Sequence, residues 1–237
     1  MKSPESHLDQ YMPKLTPGVR NSWIDHLPED LCLLLRNAMQ TLSLEPGEHL
    51  FRQGDVPAGI YEVKAGRLKV YSYNEEGKET FFDVCSSGEI LGDTSICAVE
   101  SQLRSSASAI DEASIGFLSR EIFDQLRKQY PQINAQLLQS ISCRCIAALD
   151  MYEESHALKL EARAARRLYI TAQRSGESLG ENTASIQLSQ DDLASLLGAS
   201  RSKTNKVLKT LEAKGLIELA YGKITITDLD QLLMLSD

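Results

Sequence analysis

Residues 189–214, SQDDLASLLGASRSKTNKVLKTLEAK, constrain this chain more than any other stretch. Two short helical patterns meet at Gly198. In the first, Leu193, Leu196 and Leu197 share a face, and Ser189 followed by Asp192 gives a capping-box-like start. In the second, Val207, Leu208 and Leu211 face inward behind a capping serine, Ser200. A glycine between two such runs can take the left-handed conformation that ends one helix and turns the chain into the next. The pattern is that of a helix-turn-helix. Its second helix leaves Arg201, Ser202, Lys203, Asn205 and Lys206 outside. Arg and Lys donate to guanine O6 and N7, and Asn pairs bidentately with adenine. In this motif the N-terminal residues of the second helix reach the base edges. Ser189, Gln190 and the helix start at Ser200 are placed to touch phosphate. The partner implied is double-stranded DNA.

The net charge of −8 argues against nucleic acid, but the average misleads. Residues 1–158 carry 14 Lys and Arg against 23 Asp and Glu, whereas residues 159–237 carry 11 against 10. The acidity belongs to the part of the chain that lacks the helix-turn-helix, and such asymmetry points to different partners for the two parts.

The flanking stretches fit a two-part chain. After the second helix, Ile217–Ala220 and Lys223–Thr227 flank Tyr221-Gly222 as a tight hairpin, the wing of a winged helix. Asp228 can cap a last helix over Leu229–Leu235. Upstream, residues 1–46 begin with a polar, proline-containing tail and predict a helix over Glu29–Met39. Between residues 47 and 119 glycines recur, separating the β-rich runs His49–Arg52, Ile60–Lys64, Leu68–Tyr73, Thr80–Cys85, Arg104–Ala109 and Ala113–Leu118. With a turn at residues 75–78, they predict a small antiparallel sandwich or barrel. A short helix follows over Arg120–Gln129, and Pro131 opens a long one. On it Leu138, Ile141, Cys145, Ala148 and Tyr152 alternate by three and four, the seam of a parallel partner helix and hence of a homodimer. Ile133, Leu137, Ile146 and Leu149 lie off that seam and are expected to pack back on the β domain. A hinge is placed at Ala157–Glu161, a helix over residues 162–174, and a polar loop over 175–182.

Several classes are excluded. No apolar run approaches the roughly 20 residues that span a bilayer, and the N-terminus lacks a signal segment, so no membrane partner and a cytoplasmic address are expected. Five scattered cysteines without a CxxC pair are neither a disulfide framework nor a zinc-finger spacing. There is no GxSxG, HExxH or Walker loop, so the chain is not expected to be an enzyme. Asp191 and Asp192 at a helix start are explained by the helix dipole and capping.

Five blocks in order, PGEHLFRQGD (46–55), IYEVKAGRLKVY (60–71), GEILGD (88–93), RSSASA (104–109) and LSQDDLASLLGASRSKTNKVLKTLEAKGLIEL (188–219), resemble the CRP/FNR family of bacterial transcription regulators. The resemblance covers about residues 30–235. It implies an α+β chain in three parts: a sensory domain at 1–130, a cyclic-nucleotide-binding-like β-roll (a double-stranded jelly roll) with an N-terminal helix; a long dimerisation helix at 131–158; and a winged helix-turn-helix at 159–237. It also implies a cytoplasmic homodimer on an inverted-repeat operator and a contact with RNA polymerase, for which the loop at 175–182 matches one position. The alternative is a cyclic-nucleotide-binding module acting through a protein partner.

For the effector, the resemblance points to Gly92-Asp93 at a ribose and Arg104-Ser105 at a cyclic phosphate. Arg104 offers a guanidinium fork for such an anion. Asp93 is one methylene shorter than the family's Glu, and Ala148-Leu149 stand near the family's base-reading Thr-Ser without side-chain hydrogen-bonding groups. A cyclic nucleotide, another ligand and no ligand at all therefore remain open. With only Cys32 near the N-terminus, an iron–sulfur cluster is not expected. Cys143 and Cys145 read either as small apolar fillers or, at Cys145, as an interchain redox lock, and His49 as a structural histidine rather than a haem ligand.

Members close to the cAMP receptor carry Arg-Glu at the head of the recognition helix and Arg four residues after the Glu. Here Arg201 is kept, Ser202 replaces the Glu and Lys206 stands for the second Arg, which removes an acceptor for cytosine and predicts a different half-site. Replacing Arg201 by Ala is expected to cost about 1–3 kcal/mol and relax one base position. Titrations against single-base operator variants check this; uniform weakening on all of them would make Arg201 a phosphate contact.

Overall fold

The computed structural model describes residues 21–98 and 102–235. The proline-containing tail expected over the first twenty residues lies outside them. A 3-10 turn at Trp23–His26 leads into α1 (Glu29–Asn37). Eight strands follow: β1 (Gln40–Leu44), β2 (His49–Phe51), β3 (Gly59–Ala65), β4 (Leu68–Tyr73), β5 (Glu79–Cys85), β6 (Ile90–Leu91), β7 (Ser106–Ala109) and β8 (Ala113–Ser119), with α2 (Asp93–Cys97) after β6. They form two four-stranded antiparallel sheets, ordered β1-β8-β3-β6 and β2-β7-β4-β5. This is the double-sheeted β-roll. Its interior holds Phe51, Tyr61, Val63, Leu68, Ala107 and Ile115, with Tyr61 stacked on Phe117 at 5.1 Å between ring centroids. The corner between β3 and β4 requires glycine. Gly66 has φ +80°, and a Cβ there would lie 2.4 Å from the Glu112 carbonyl oxygen.

β1, β6 and α2 are not anticipated by the sequence periodicity. β1 is exposed except at Leu44 and is held by backbone pairing along β8, so it lacks the alternation that betrays a half-buried strand. β6 is two residues long.

α3 (Arg120–Gln129) starts at Ser119, whose Oγ accepts from the Ile122 amide at 3.4 Å. α4 (Pro131–Ala157) is one helix of 27 residues. Its first turns bury Ile133 and Leu137 against Trp23, Ile24, Leu35 and Phe123, as expected. Further along it leaves the body. Ile146 and Leu149 are exposed, which corrects the expectation that they pack on the β domain. Ile141, expected in the seam, instead packs against the buried cluster around Phe123. The exposed row is Leu138, Ser142, Cys145, Leu149 and Tyr152, spaced four, three, four and three, with Ala148 exposed beside it.

After a break at Leu158-Lys159 come α5 (Leu160–Ser175), β9 (Glu177–Gly180), β10 (Thr183–Ile186), α6 (Gln190–Leu196), α7 (Arg201–Ala213), β11 (Ile217–Ala220), β12 (Lys223–Ile226) and α8 (Leu229–Met234). The strands form one sheet, β11-β12-β10-β9. Residues 177–180, expected as loop, are thus an edge strand; their side chains are all exposed, which hides the strand from hydrophobic patterning. The core gathers Leu168, Leu193, Leu197, Leu208, Leu211, Ile224 and Leu232.

The two halves are packed together. Phe81 of β5 is 4% exposed and belongs to the C-terminal core rather than to the roll. Lys69 of β4 bridges Glu79 at 2.7 Å and Asp192 of α6 at 3.1 Å. Arg174 of α5 bonds Glu89 at 2.7 Å and also meets Asp83. Truncating a buried phenylalanine typically costs about 3–5 kcal/mol. Phe81→Ala is expected to lower the melting temperature of the C-terminal half while leaving the roll folded. Hydrogen exchange resolved over residues 160–235 checks this, and unchanged protection there would contradict it.

Candidate functional site

The helix-turn-helix is built as its sequence dictates. Ser189 Oγ accepts from the Asp192 amide at 3.0 Å, the N-cap bond, and donates to the Asp192 carboxylate at 2.6 Å. Gly198 takes φ +58°, and the Ala199 amide bonds back to the Ala194 carbonyl at 3.0 Å. Ser200 Oγ accepts from the Lys203 amide at 3.4 Å and starts α7. Thr204, Leu208 and Leu211 face the core. Arg201, Ser202, Lys203 and Lys206 are therefore exposed together, and Asn205 is half-buried between them.

Arg201, Ser202, Asn205, Lys206 and Lys209 line one shallow open groove on the outer face of α7. Lys209 was missed from the sequence, although positions 202, 205, 206 and 209 repeat at helical spacing and would have found it. Arg201 Nε lies 3.3 Å from the Asp191 carboxylate, both side chains about two-thirds exposed. Such a pair contributes about 0–1 kcal/mol at most, so a guanine or phosphate displaces it easily. Ser189 and Gln190 are half-buried at the start of α6. Asp192 beside them is held by Lys69, which offsets one acid that a phosphate would otherwise meet. At the tip of the wing Tyr221 is fully exposed.

The second feature is a cavity of about 1000 Å³ between the roll, α4 and the C-terminal unit. Of the expected effector residues, Gly92, Asp93 and Ser105 line it. Arg104, between the lining residues Leu103 and Ser105, does not line it and is exposed. Asp93 is already engaged. Arg144 of α4 bonds it at 2.8 Å, Asn21 donates to it at 3.2 Å and the Thr94 amide at 2.8 Å. Gly92 has φ +84°, and a Cβ there would lie 2.6 Å from the Gly59 carbonyl oxygen, so backbone packing alone demands glycine. The structure adds Arg144, Arg166, Arg167 and Arg174 to the wall. No sequence spacing unites them, because they come from two helices separated by the break at residue 158.

The cysteines are all free. Cys85 and Cys143 line the cavity, and burial pushes the Cys85 thiol well above its usual range. Cys145 is exposed on α4. Cys32 donates its thiol to the Ile24 carbonyl at 2.8 Å. His49 Nε2 lies 2.8 Å from the Tyr71 hydroxyl and 3.1 Å from Arg52, a hydrogen-bonded position. Among the described residues no three His, Cys, Asp or Glu side chains are grouped to hold a metal, and no helix is long and apolar enough to cross a membrane.

Comparison with known proteins matches both halves. Residues 41–130 match the cyclic nucleotide-binding domain family, and residues 162–235 the Crp-like helix-turn-helix domain. The chain is 26% identical to the cyclic AMP receptor protein of Thermus thermophilus, over 85% of this chain and 89% of that one. It is 25% identical to the CRP-like cAMP-activated global transcriptional regulator of Mycobacterium tuberculosis, over 84% and 88%. Among solved structures, FixK2 from Bradyrhizobium japonicum shares the fold with a TM-score of 0.71 at 16% identity, over 84% of this chain and 98% of that one.

Arg174 lines the cavity and pairs with the part-exposed Asp83 and the buried Glu89, and this generates a pH prediction. Burial is the largest influence on Asp83 and raises its pKa, while Arg174 pulls it down. Removing one partner of a buried ion pair typically costs about 3–5 kcal/mol. In Arg174→Ala the Asp83 carboxyl loses its cation, so its folded-state pKa, already raised by burial, rises further above that of the unfolded chain. A carboxyl shifted that way binds more protons when folded, so stability falls as pH rises above the usual carboxylate value near about 4. The variant is expected to lose far more stability at pH 8 than at pH 5, as urea unfolding at the two values would measure.

Proposed function

The chain belongs to the CRP/FNR family of bacterial transcriptional regulators, and on that premise we propose that it is a homodimeric, sequence-specific DNA-binding regulator on an inverted-repeat operator. Members of this family regulate transcription and are not enzymes. The observation that carries the reading is the outer face of α7: Arg201, Ser202, Asn205, Lys206 and Lys209 share one open groove on a helix capped and oriented by α6. Ser189, Gln190, Ser200 and Lys203 add phosphate contacts around it.

The exposed row Leu138, Ser142, Cys145, Leu149 and Tyr152 on α4 supports the homodimer. Its seven-residue repeat suits a parallel two-stranded seam, and a free helix of this length has no other reason to expose Leu149 and Tyr152. Two copies would then present two α7 helices to two half-sites. The cavity beneath α4 receives the controlling signal. Relatives described as cAMP-activated make a cyclic nucleotide one candidate effector. The engaged state of Asp93 and the exposure of Arg104, which does not line the cavity, favour a ligand held differently. The exposed edge strand β9 lies in the 175–182 segment that resembles a family contact position and supports a contact with RNA polymerase, and the protein acts in the cytoplasm.

Two measurements test this. Operator binding is expected to weaken steeply as salt rises, because Lys and Arg on phosphates release counterions; a flat salt dependence would favour action through a protein partner. Leu149→Glu is expected to sediment as a monomer and to bind the two-fold operator at least about a hundredfold more weakly, since it loses the second half-site. A variant that stays dimeric would move the seam elsewhere.

A further inference from the structure

The cavity wall is electrostatically uneven. Most of its arginines are matched: Arg144 with Asp93 at 2.8 Å, Arg166 with Glu154 at 2.9 Å, Arg174 with Asp83 and Glu89, and Arg67 with Asp111 at 2.7 Å. Arg167 of α5 is the exception. Among the described residues its guanidinium makes no hydrogen bond and no ion pair, although it lines the same cavity. Its nearest acids, Glu154 and Asp83, are those already held by Arg166 and Arg174. Burial opposes its charge and lowers its pKa. Arg144, though paired with Asp93 through both terminal nitrogens, also has a buried Nε without an acceptor.

A half-buried guanidinium on a cavity wall without an ion-pair partner is partly desolvated, and its five donors in a fixed fork fit an oxyanion. The volume, about 1000 Å³, is at the upper end of what small-molecule sites use, roughly 300–1000 Å³. The C-terminal unit also lends the wall Tyr169, Ile170, Leu188 and Leu196, an apolar surface beside the cation.

We propose that the junction cavity binds an organic anion of nucleotide size, its acidic group on Arg167 and its apolar body on the C-terminal wall. This rests on reading the chain as a ligand-controlled regulator, and it moves the anion contact from the roll to the DNA-binding unit. Arg104 then has no part in it. The consequence is direct coupling: α5 carries both the anion contact and Arg174, which ties α5 to β5 and to Glu89 before β6. A ligand in this cavity touches the element that positions the helix-turn-helix, without relaying through the roll.

The test uses the full chain and two dyes of similar ring structure, the anionic 8-anilinonaphthalene-1-sulfonate and the neutral N-phenyl-1-naphthylamine, read by fluorescence. Arg167→Gln is expected to weaken the sulfonate about tenfold while changing the neutral dye less than about twofold, the loss of one charge-assisted contact. Arg167→Lys is expected to keep most of the sulfonate affinity, and Arg104→Gln to keep all of it. Wild-type sulfonate affinity in Arg167→Gln, or its loss in Arg104→Gln, would overturn the proposal. Should Arg167→Gln fail to fold, hydrogen exchange on the wild-type chain decides. Sulfonate-dependent protection across residues 160–175 supports the site, and protection confined to the roll overturns it. Operator binding without dye is measured alongside: its absence would sink the DNA-binding reading and leave the anion site standing.

Discussion

Arg174 is the contact on which the arrangement of the two halves depends. It stands on the helix that opens the DNA-binding unit and reaches two carboxylates of the β-roll, Asp83 and Glu89. Glu89 is 1% exposed, and its carboxylate is held there by that guanidinium together with the Ser86 amide and hydroxyl. A buried ion pair adds little net stability, but it is intolerant of misplacement, because either partner alone in the interior is costly. It therefore fixes where α5 lies against β5. Phe81 completes the lock by non-directional burial in the C-terminal core, and Lys69 reaches the first helix of the helix-turn-helix from β4. A hydrophobic contact alone would let the units slide; the charges give the contact a register.

That register explains why the cavity exists where it does. The roll and α4 form two of its walls. The third is α5, tied to the roll through Arg174. A wall made by two separately folding units changes when either moves, which suits signal transfer better than a pocket enclosed in the roll. The same arrangement accounts for the fate of the family's effector pattern. Gly92 persists because its backbone approaches Gly59 too closely for any side chain. Asp93 has become a structural anion for Arg144, tying α4 to the start of α2.

What could be read in the sequence divides along physical lines. The helix-turn-helix was legible in detail, down to the Ser189–Asp192 cap and the left-handed Gly198, because local rules govern caps and turns within a few residues. The long strands of the roll were legible from glycine corners and alternation. β1 and β9 were not, since their stability comes from backbone pairing with distant strands while their side chains face water. The seam of α4 was half legible. Periodicity showed a stripe, but Ile141 and Leu149 change places once the β-roll claims one side of the helix, and only tertiary packing decides that.

The cavity arginines were not legible at all, and the reason bears on how such sites are read. Arg144, Arg166, Arg167 and Arg174 look like ordinary solvated charges at helical spacing. Their meaning comes from counting partners in three dimensions. Where acids suffice, an arginine is architecture; where one is left over on a cavity wall, the protein keeps a half-buried charge that brings the fold no ion pair. That imbalance suits a partner from outside the chain.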